Sequence, residues 1–231
     1  MPELPEVEVV KRSLEKKIKN MVFKKVTIRD GNLRYKVNKK EISKIIGLRI
    51  SKVTRRSKFL IFHLNNYSLL LFHLGMTGKF FFINAKQRKF KTSFYYNLNN
   101  IKDEKHDRII FIFHKNQRLI YNDVRKFGFI KFFKKRNSVR NNLHLSNLGP
   151  EPLSKFWRTV YLKKYISGKK RKIKDILMDQ KCVSGLGNIY VNEILFASGI
   201  HPKKVGSKLK NYEIIKIIKN SKKILKKSIA L

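Results

Sequence analysis

The spacing of apolar residues changes twice along this chain of 231 residues, and those two changes constrain its architecture more than any other feature. Val7, Val10, Leu14 and Ile18 recur at helical spacing with Lys and Arg between them, which predicts an amphipathic first helix ending near Asn20. From Met21 to Phe133 the apolar residues gather instead into short runs rich in Phe, Ile, Val and Leu, among them Phe59 to Leu64, Leu69 to Leu74, Ile109 to Phe113 and Phe127 to Phe133. Runs of that length and composition read as strands of a sandwich. Asp30-Gly31-Asn32, Asn65-Asn66 and Asn116-Gln117 fall between runs, where hairpin loops would be needed. The periodicity lapses from Lys134 to Gly149 and returns as helical spacing near Pro152 to Ile166, Ile173 to Met178, Asn188 to Ser198 and Ser207 to Lys227. The fold expected is α+β: an N-terminal β-sandwich with flanking helices over residues 1–133, a linker over 134–150, and an all-helical domain over 151–231. A chain of this length can bury a separate core in each part.

Charge narrows the partner. With 55 Lys+Arg against 15 Asp+Glu, the net charge of +40 far exceeds the single digits that keep an ordinary enzyme in solution. Abundant Lys, Asn, Ile and Phe also fit AT-rich codons, which accounts for part of that excess. A polyanion remains the expected partner, and an extended phosphate backbone takes up many cations at once while releasing counterions. No apolar run approaches the roughly 20 residues that cross a bilayer, and the acidic N-terminus does not suit a signal peptide, so a cytoplasmic protein without membrane association is expected. A single cysteine, Cys182, allows neither an internal disulfide nor a Cys-x-x-Cys zinc pair, and reads as a small core residue. No metal or other cofactor is expected.

Particular residues suggest chemistry. A Met1-Pro2 start is normally processed to expose proline's secondary amine, whose pKa lies near that of an α-amino group, roughly 8. Glu3 and Glu6 place carboxylates close to that amine, while also suiting a helix N-terminus. Taken alone, Met-Pro is an ordinary helix start. Arg55-Arg56-Ser57-Lys58-Phe59-Leu60 sets a lysine just before an apolar strand, a pattern that alone describes solvated surface. Leu74-Gly75-Met76-Thr77-Gly78 carries a flexible thioether between glycines. Asp123-Val124-Arg125-Lys126-Phe127-Gly128 carries a guanidinium and an aromatic ring two residues apart, on the same side if extended. Gly185-Leu186-Gly187-Asn188 precedes a helix whose backbone amides, reached through glycines, would point outward at a phosphate. It would equally serve as a plain helix cap.

Together these segments resemble the formamidopyrimidine-DNA glycosylase and endonuclease VIII family, in the family's order and over essentially the whole chain. The resemblance implies a helix-two-turn-helix arrangement for the second domain, with DNA in a cleft between the domains. It implies a bifunctional base-excision repair enzyme, glycosylase and abasic-site lyase, that removes oxidised purines such as formamidopyrimidines and 8-oxoguanine from double-stranded damaged DNA. Pro2 would attack the deoxyribose C1′, expel the base and leave a Schiff base that permits strand cleavage by β-elimination. Glu3 would act as the acid at the sugar, Glu6 as a supporting carboxylate, and Lys58 would touch DNA and assist elimination. Met76, Arg125 and Phe127 match the wedges of the formamidopyrimidine branch, and Leu4 points to the same branch. His106, Lys169, Lys174 and Asn188 correspond to further DNA contacts, with Lys169 aligned less surely in its lysine-rich run. Val124 stands where the family motif has Pro, a change expected to loosen that loop.

The family continues past its last helix into a lesion-binding loop and a zinc finger or zincless hairpin carrying an arginine, whereas this sequence closes at Ser228-Ile229-Ala230-Leu231. A monomeric bacterial enzyme lacking the zinc finger, cytoplasmic and nucleoid-associated when on DNA, is the first expectation. A noncatalytic or lyase-only DNA-binding remnant is the second. A basic ribosomal or nucleoid protein would explain the charge but not the cluster of Pro2, Glu3 and Glu6.

Overall fold

The computed structural model describes residues 1–92, 104–134 and 142–230. The chain forms two compact units, one of residues 1–2 and 6–141, the other of residues 3–5 and 142–231.

In the first unit, helix α1 (Leu4–Ile18) follows the predicted period: Val7, Val10, Leu14 and Ile18 are buried in the core. Its outer face carries Glu8 with Arg12 and Lys11 with Glu15, each pair four residues apart. Nine strands follow among the described residues, with a short helix α2 (Lys39–Ser43) between the first two. They are β1 (Phe23–Ile28), β2 (Ile50–Arg56), β3 (Phe59–Leu64), β4 (Leu69–His73), β5 (Lys79–Ile83), β6 (Lys89–Lys91), β7 (Asp107–Phe113), β8 (Arg118–Asn122) and β9 (Phe129–Phe133). They pair in the order β1-β7-β8-β5-β6 in one sheet and β2-β3-β4-β9 in the other, antiparallel throughout. Leu60, Phe62, Leu70 and Phe72 of the smaller sheet share one core with Phe80, Phe82, Phe111, Phe113 and Tyr121 of the larger. Ring centroids of Phe72 and Phe80 lie 5.3 Å apart, edge to face, and those of Phe72 and Phe111 6.1 Å apart. The two sheets therefore meet face to face as a sandwich.

Two of the three expected hairpin loops are hairpins. Asn65-Asn66 joins β3 to β4, with the Asn66 side chain accepting from Ser68, and Asn116-Gln117 joins β7 to β8. The third is not. At Asp30-Gly31-Asn32 the Asp30 carboxylate accepts the Asn32 N–H in a local turn, but β1 pairs with β7, and the chain beyond the turn leads into α2. Turn chemistry is local, whereas the partner of β1 comes from some eighty residues away.

In the second unit the helices are α3 (Leu143–Ser146), α4 (Thr159–Ile166), α5 (Ile173–Met178), α6 (Asn188–Ser198) and α7 (Asn211–Ala230). Of the segment expected to be a linker, residues 135–141 lie outside the described residues, and α3 occupies part of the remainder. α5 and α6 have the expected bounds. α4 starts later than Pro152, because Ser154 N–H bonds to Glu151 and Trp157 N–H to Ser154, forming turns that sink Trp157 into the core. α7 starts at Asn211 instead of Ser207. Gly206–Lys208 is a 3-10 turn, and Glu213 reaches back to accept the Lys210 N–H at 2.8 Å, the carboxylate half of a capping box, while its own N–H bonds the Lys210 carbonyl. Cys182 is buried as expected, and burial pushes its thiol up to about 12.

Two polar links in this unit have measurable consequences. Trp157 is fully buried, and its indole N–H donates to the Ser221 hydroxyl at 2.9 Å. Ser221→Ala leaves that donor unpaired, so the second unit should lose about 1–3 kcal/mol, read by denaturant unfolding followed through the fluorescence of the chain's one tryptophan. An unchanged midpoint would show that the indole finds another acceptor. Burial pushes the Glu213 carboxyl up, but the Lys204 ammonium, 2.8 Å from both oxygens, and the Lys210 N–H outweigh it, so its pKa lies below the ordinary 4.5. A depressed folded-state pKa stabilises fully above the unfolded value and ceases to do so as pH falls through the folded one. Unfolding midpoints should therefore fall on acidification below about pH 5, and Glu213→Gln should flatten that part of the profile.

Candidate active site and nucleic-acid interface

The N-terminal residues are held by a buried carboxylate. Pro2 is half-buried, while Glu3 is 3% exposed and belongs, with Leu4 and Pro5, to the second unit. Glu3 Oε2 accepts the N–H of Gly187 at 2.6 Å and of Tyr190 at 3.4 Å, and Oε1 accepts that of Ile189 at 2.9 Å. These are donors of the first turn of α6, where the N-cap is Gly187 and offers no side chain. The Leu4 N–H bonds to the Gly185 carbonyl at 2.9 Å. Gly185 has φ +99°, and a Cβ there would come within 2.7 Å of the Leu4 side chain, so both backbone and packing require glycine. The expectation that the α6 amides stand open to a phosphate is thus corrected: a carboxylate from the same unit already occupies them. Asn188 itself is exposed on the first turn.

Lys58 lies in the two-residue turn between β2 and β3, where Arg56 pairs with Phe59. Ser57 takes φ +55°, a conformation such tight hairpins usually give to glycine. Arg55 fixes the turn, donating from Nη1 to the Ser57 carbonyl and from Nε to Glu8 of α1, both at 2.8 Å. Lys58 is 6% exposed, and Glu6, on the first turn of α1, is half-buried.

Met76 and Phe127 are exposed, at 43% and 44%, and Arg125 is exposed beside them. The Arg125 guanidinium lies 4.7 Å from the centroid of the Phe127 ring. They do share a side, but not through an extended backbone, since Lys126 between them takes φ +58°. The Lys126 ammonium bonds Asp30 at 2.8 Å and, with the Asn32 N–H, holds that carboxyl below the usual range. Arg108 donates to the Asp123 carbonyl at 2.8 Å and approaches that of Val124 at 3.4 Å, so the loop is fixed without the family's proline. Gly75 has φ +61°, and a Cβ on it would stand 2.4 Å from the backbone of Phe127 and Gly128. The loop carrying Met76 thus lies directly against the loop carrying Arg125 and Phe127.

His106 sits on a 3-10 turn before β7 with Nδ1 3.0 Å from Arg108 Nη2. A guanidinium only donates, so Nδ1 accepts and the ring proton in that arrangement is on Nε2. In the second unit, Lys169 follows Gly168 beyond α4 with its ammonium 3.7 Å above the Tyr165 ring, and Lys174 lies on the first turn of α5, half-buried. Several residues that organise this machinery were not singled out in the sequence: Glu8, Arg55, Thr77, Arg108, Asp123 and Gln180. The last holds the loop before α6, accepting the Gly185 N–H and donating to the Leu186 carbonyl, both at 2.8 Å. Arg55, Thr77 and Asp123 carry a signal, since each stands inside one of the family-like segments, whereas Glu8, Arg108 and Gln180 do not.

Residues 1–130 match the family model for the formamidopyrimidine-DNA glycosylase N-terminal domain, and residues 148–231 that for the formamidopyrimidine-DNA glycosylase H2TH domain. The chain is 40% identical over 229 residues to a formamidopyrimidine-DNA glycosylase of Rickettsia bellii (strain OSU 85-389), a match covering 99% of this chain and 78% of the relative. It is 38% identical to that of Rickettsia massiliae (strain Mtu5), covering 99% and 76%. Among solved structures, it superposes on the Lactococcus lactis formamidopyrimidine-DNA glycosylase bound non-covalently to DNA containing an abasic site, with TM-score 0.85, 31% identity, and coverage of 99% of this chain and 82% of that one. A variant of the Lactococcus lactis protein in complex with Fapy-dG containing DNA gives TM-score 0.86 and 32% identity, covering 100% and 79%. Both the amine-bearing unit and the helical unit are therefore accounted for by one family, and the chain belongs to the formamidopyrimidine-DNA glycosylases of base-excision repair.

Proposed function

We propose that this protein excises oxidised purines, formamidopyrimidines and 8-oxoguanine, from double-stranded DNA, and cleaves the resulting abasic site by β-elimination, with the amine of Pro2 as nucleophile. The observation that carries this reading is the burial of Glu3 on three backbone N–H groups, which immobilises the residue directly after the proline. Once Met1 is removed, the proline nitrogen attacks C1′, the bond from C1′ to the base breaks, and the departing base gains a proton while the nitrogen loses one. The iminium that follows ring opening draws electrons from C2′. Loss of the C2′ proton then breaks the C3′–O bond. Glu3 supplies a proton at the sugar, Glu6 supports it, and Lys58, on its clamped turn, assists elimination. These steps are carried by an amine and carboxylates, with no metal or cofactor.

Met76, Arg125 and Phe127 fill the stack vacated by the extruded nucleotide. His106, Lys169, Lys174 and Asn188 bind DNA around it, aided by the large positive charge. Among the described residues no helix is long and apolar enough to cross a membrane. The working form is a monomer on duplex DNA in the bacterial cytoplasm.

Processed protein mixed with abasic-site DNA and borohydride should give a covalent adduct that peptide mass spectrometry places on the N-terminal residue. Pro2→Gly should lower its yield, and an adduct of unchanged yield on an internal lysine would remove Pro2 from the mechanism. Glu3 has two separable duties. Glu3→Ala leaves the first turn of α6 without its acceptor and should cost about 1–3 kcal/mol of stability as well as base excision. Glu3→Gln, which keeps one acceptor oxygen, should lose base excision with a smaller change in thermal midpoint. Equal excision by Glu3→Gln and the native protein would leave Glu3 as an anchor alone.

A further inference from the structure

Beneath Met76, Arg125 and Phe127 lies a polar cluster with no role in the chemistry above. Asp123 is fully buried. Its Oδ1 accepts the Thr77 hydroxyl at 2.5 Å, and its Oδ2 accepts the Gly128 N–H at 2.8 Å and the Tyr121 hydroxyl at 3.3 Å. Its backbone is engaged as well, N–H to the His106 carbonyl at 3.0 Å and carbonyl from Arg108 at 2.8 Å. Thr77 completes the link, because the oxygen that donates to Asp123 also accepts the Arg125 N–H at 2.9 Å. One hydroxyl, next in sequence to Met76, therefore bonds the first residue of the 123–128 loop and the backbone of Arg125. The glycines make this approach possible: a Cβ on Gly128 would fall 1.8 Å from the Tyr121 hydroxyl.

We propose that Thr77 and Asp123 are positioning residues for base extrusion, fixing Met76 in register with Arg125 and Phe127 so that the three enter the stack as one preformed unit. The proposal rests on the reading of those three as wedges. Its physical basis is that unstacking a nucleotide is costly, and loops already ordered in the free protein add no ordering cost at that moment. A scaffold that held the loops only for stability would not need its bridging hydroxyl to come from the residue beside one wedge and bind the backbone of another.

The test uses duplex DNA with 2-aminopurine next to an 8-oxoguanine, whose fluorescence rises on unstacking, alongside borohydride trapping on abasic-site DNA, where no base remains to be extruded. Thr77→Val keeps the shape and removes both hydroxyl bonds. It should slow the fluorescence rise about tenfold or more, as expected for loss of a hydrogen bond to a charged group, while trapping stays within about twofold. Thr77→Ser should restore the rise. Asp123→Asn, which keeps the shape but replaces one of the two acceptor oxygens with a donor nitrogen, should slow it as well, and it serves if Thr77→Val does not fold. Met76→Ala and Arg125→Ala are measured in parallel. If these slow the rise and folded Thr77→Val does not, the positioning role is wrong. If neither does, the wedge reading itself fails and the proposal with it. A parallel fall in trapping, extrusion and thermal midpoint, unrescued by Ser, would reduce the cluster to fold maintenance.

Discussion

The carboxylate of Glu3 is the interaction on which the rest of the site depends. A helix presents its first N–H groups without intrahelical partners, and α6 begins at a glycine that has no side chain to cap them. Glu3 provides the acceptor from 184 residues away in sequence, at 2.6 Å from the Gly187 nitrogen. Because the negative charge also lies at the positive end of the helix dipole, the bond is favoured twice. A chain terminus is ordinarily among the least ordered parts of a protein. Here the third residue is buried, and Leu4 is seated on Gly185 directly after it. The proline proposed as the nucleophile is separated from this anchor by a single peptide bond.

Carboxylates elsewhere in the molecule behave similarly, and this explains how so basic a chain folds. Only 15 acidic residues face 55 basic ones. Glu8 takes Arg55 and Arg12, Asp30 takes Arg108 and Lys126, Asp179 takes Arg171, and Glu213 takes Lys204. Apart from the helix-surface pair of Glu8 with Arg12, each of these pairs ties down a turn, a loop or a helix end, and Asp123 does so with neutral donors. Acidic residues thus act as internal fasteners. The excess of cations over these fasteners is left to produce the field that draws in a polyanion.

Elements with a strong local apolar signature were legible in the sequence. Helices α1, α5 and α6 fall where the helical period put them, because each buries residues at that repeat, and strands β3 and β4 fall on continuous apolar runs, because both of their faces are buried. The misreadings occur where a distant partner decides. Asp30-Gly31-Asn32 has hairpin composition, yet β1 finds β7. The run from Pro152 looks helical, yet Trp157 must reach Ser221, and the chain turns until Thr159. The amides of α6 look open from Gly185-Leu186-Gly187-Asn188, and nothing in that segment reveals that residue 3 fills them.

The same division runs through the site. The residues assigned to DNA contact were picked out because they stand in short segments of distinctive composition, and Met76, Arg125 and Phe127 among them are exposed. The residues that hold them were not, since a threonine or an arginine acquires its meaning only from what it touches. Arg55 reads as one more cation in a basic stretch, but its two bonds, to Glu8 and to the Ser57 carbonyl, connect the helix that carries Glu6 with the turn that presents Lys58. An arginine fits this position better than lysine, because its planar fork can bond a carboxylate and a carbonyl at the same time in fixed directions. A segment's composition can suggest which residues are candidates for the chemistry, but only the partnered residues beneath them, such as Arg55, show how those candidates are held.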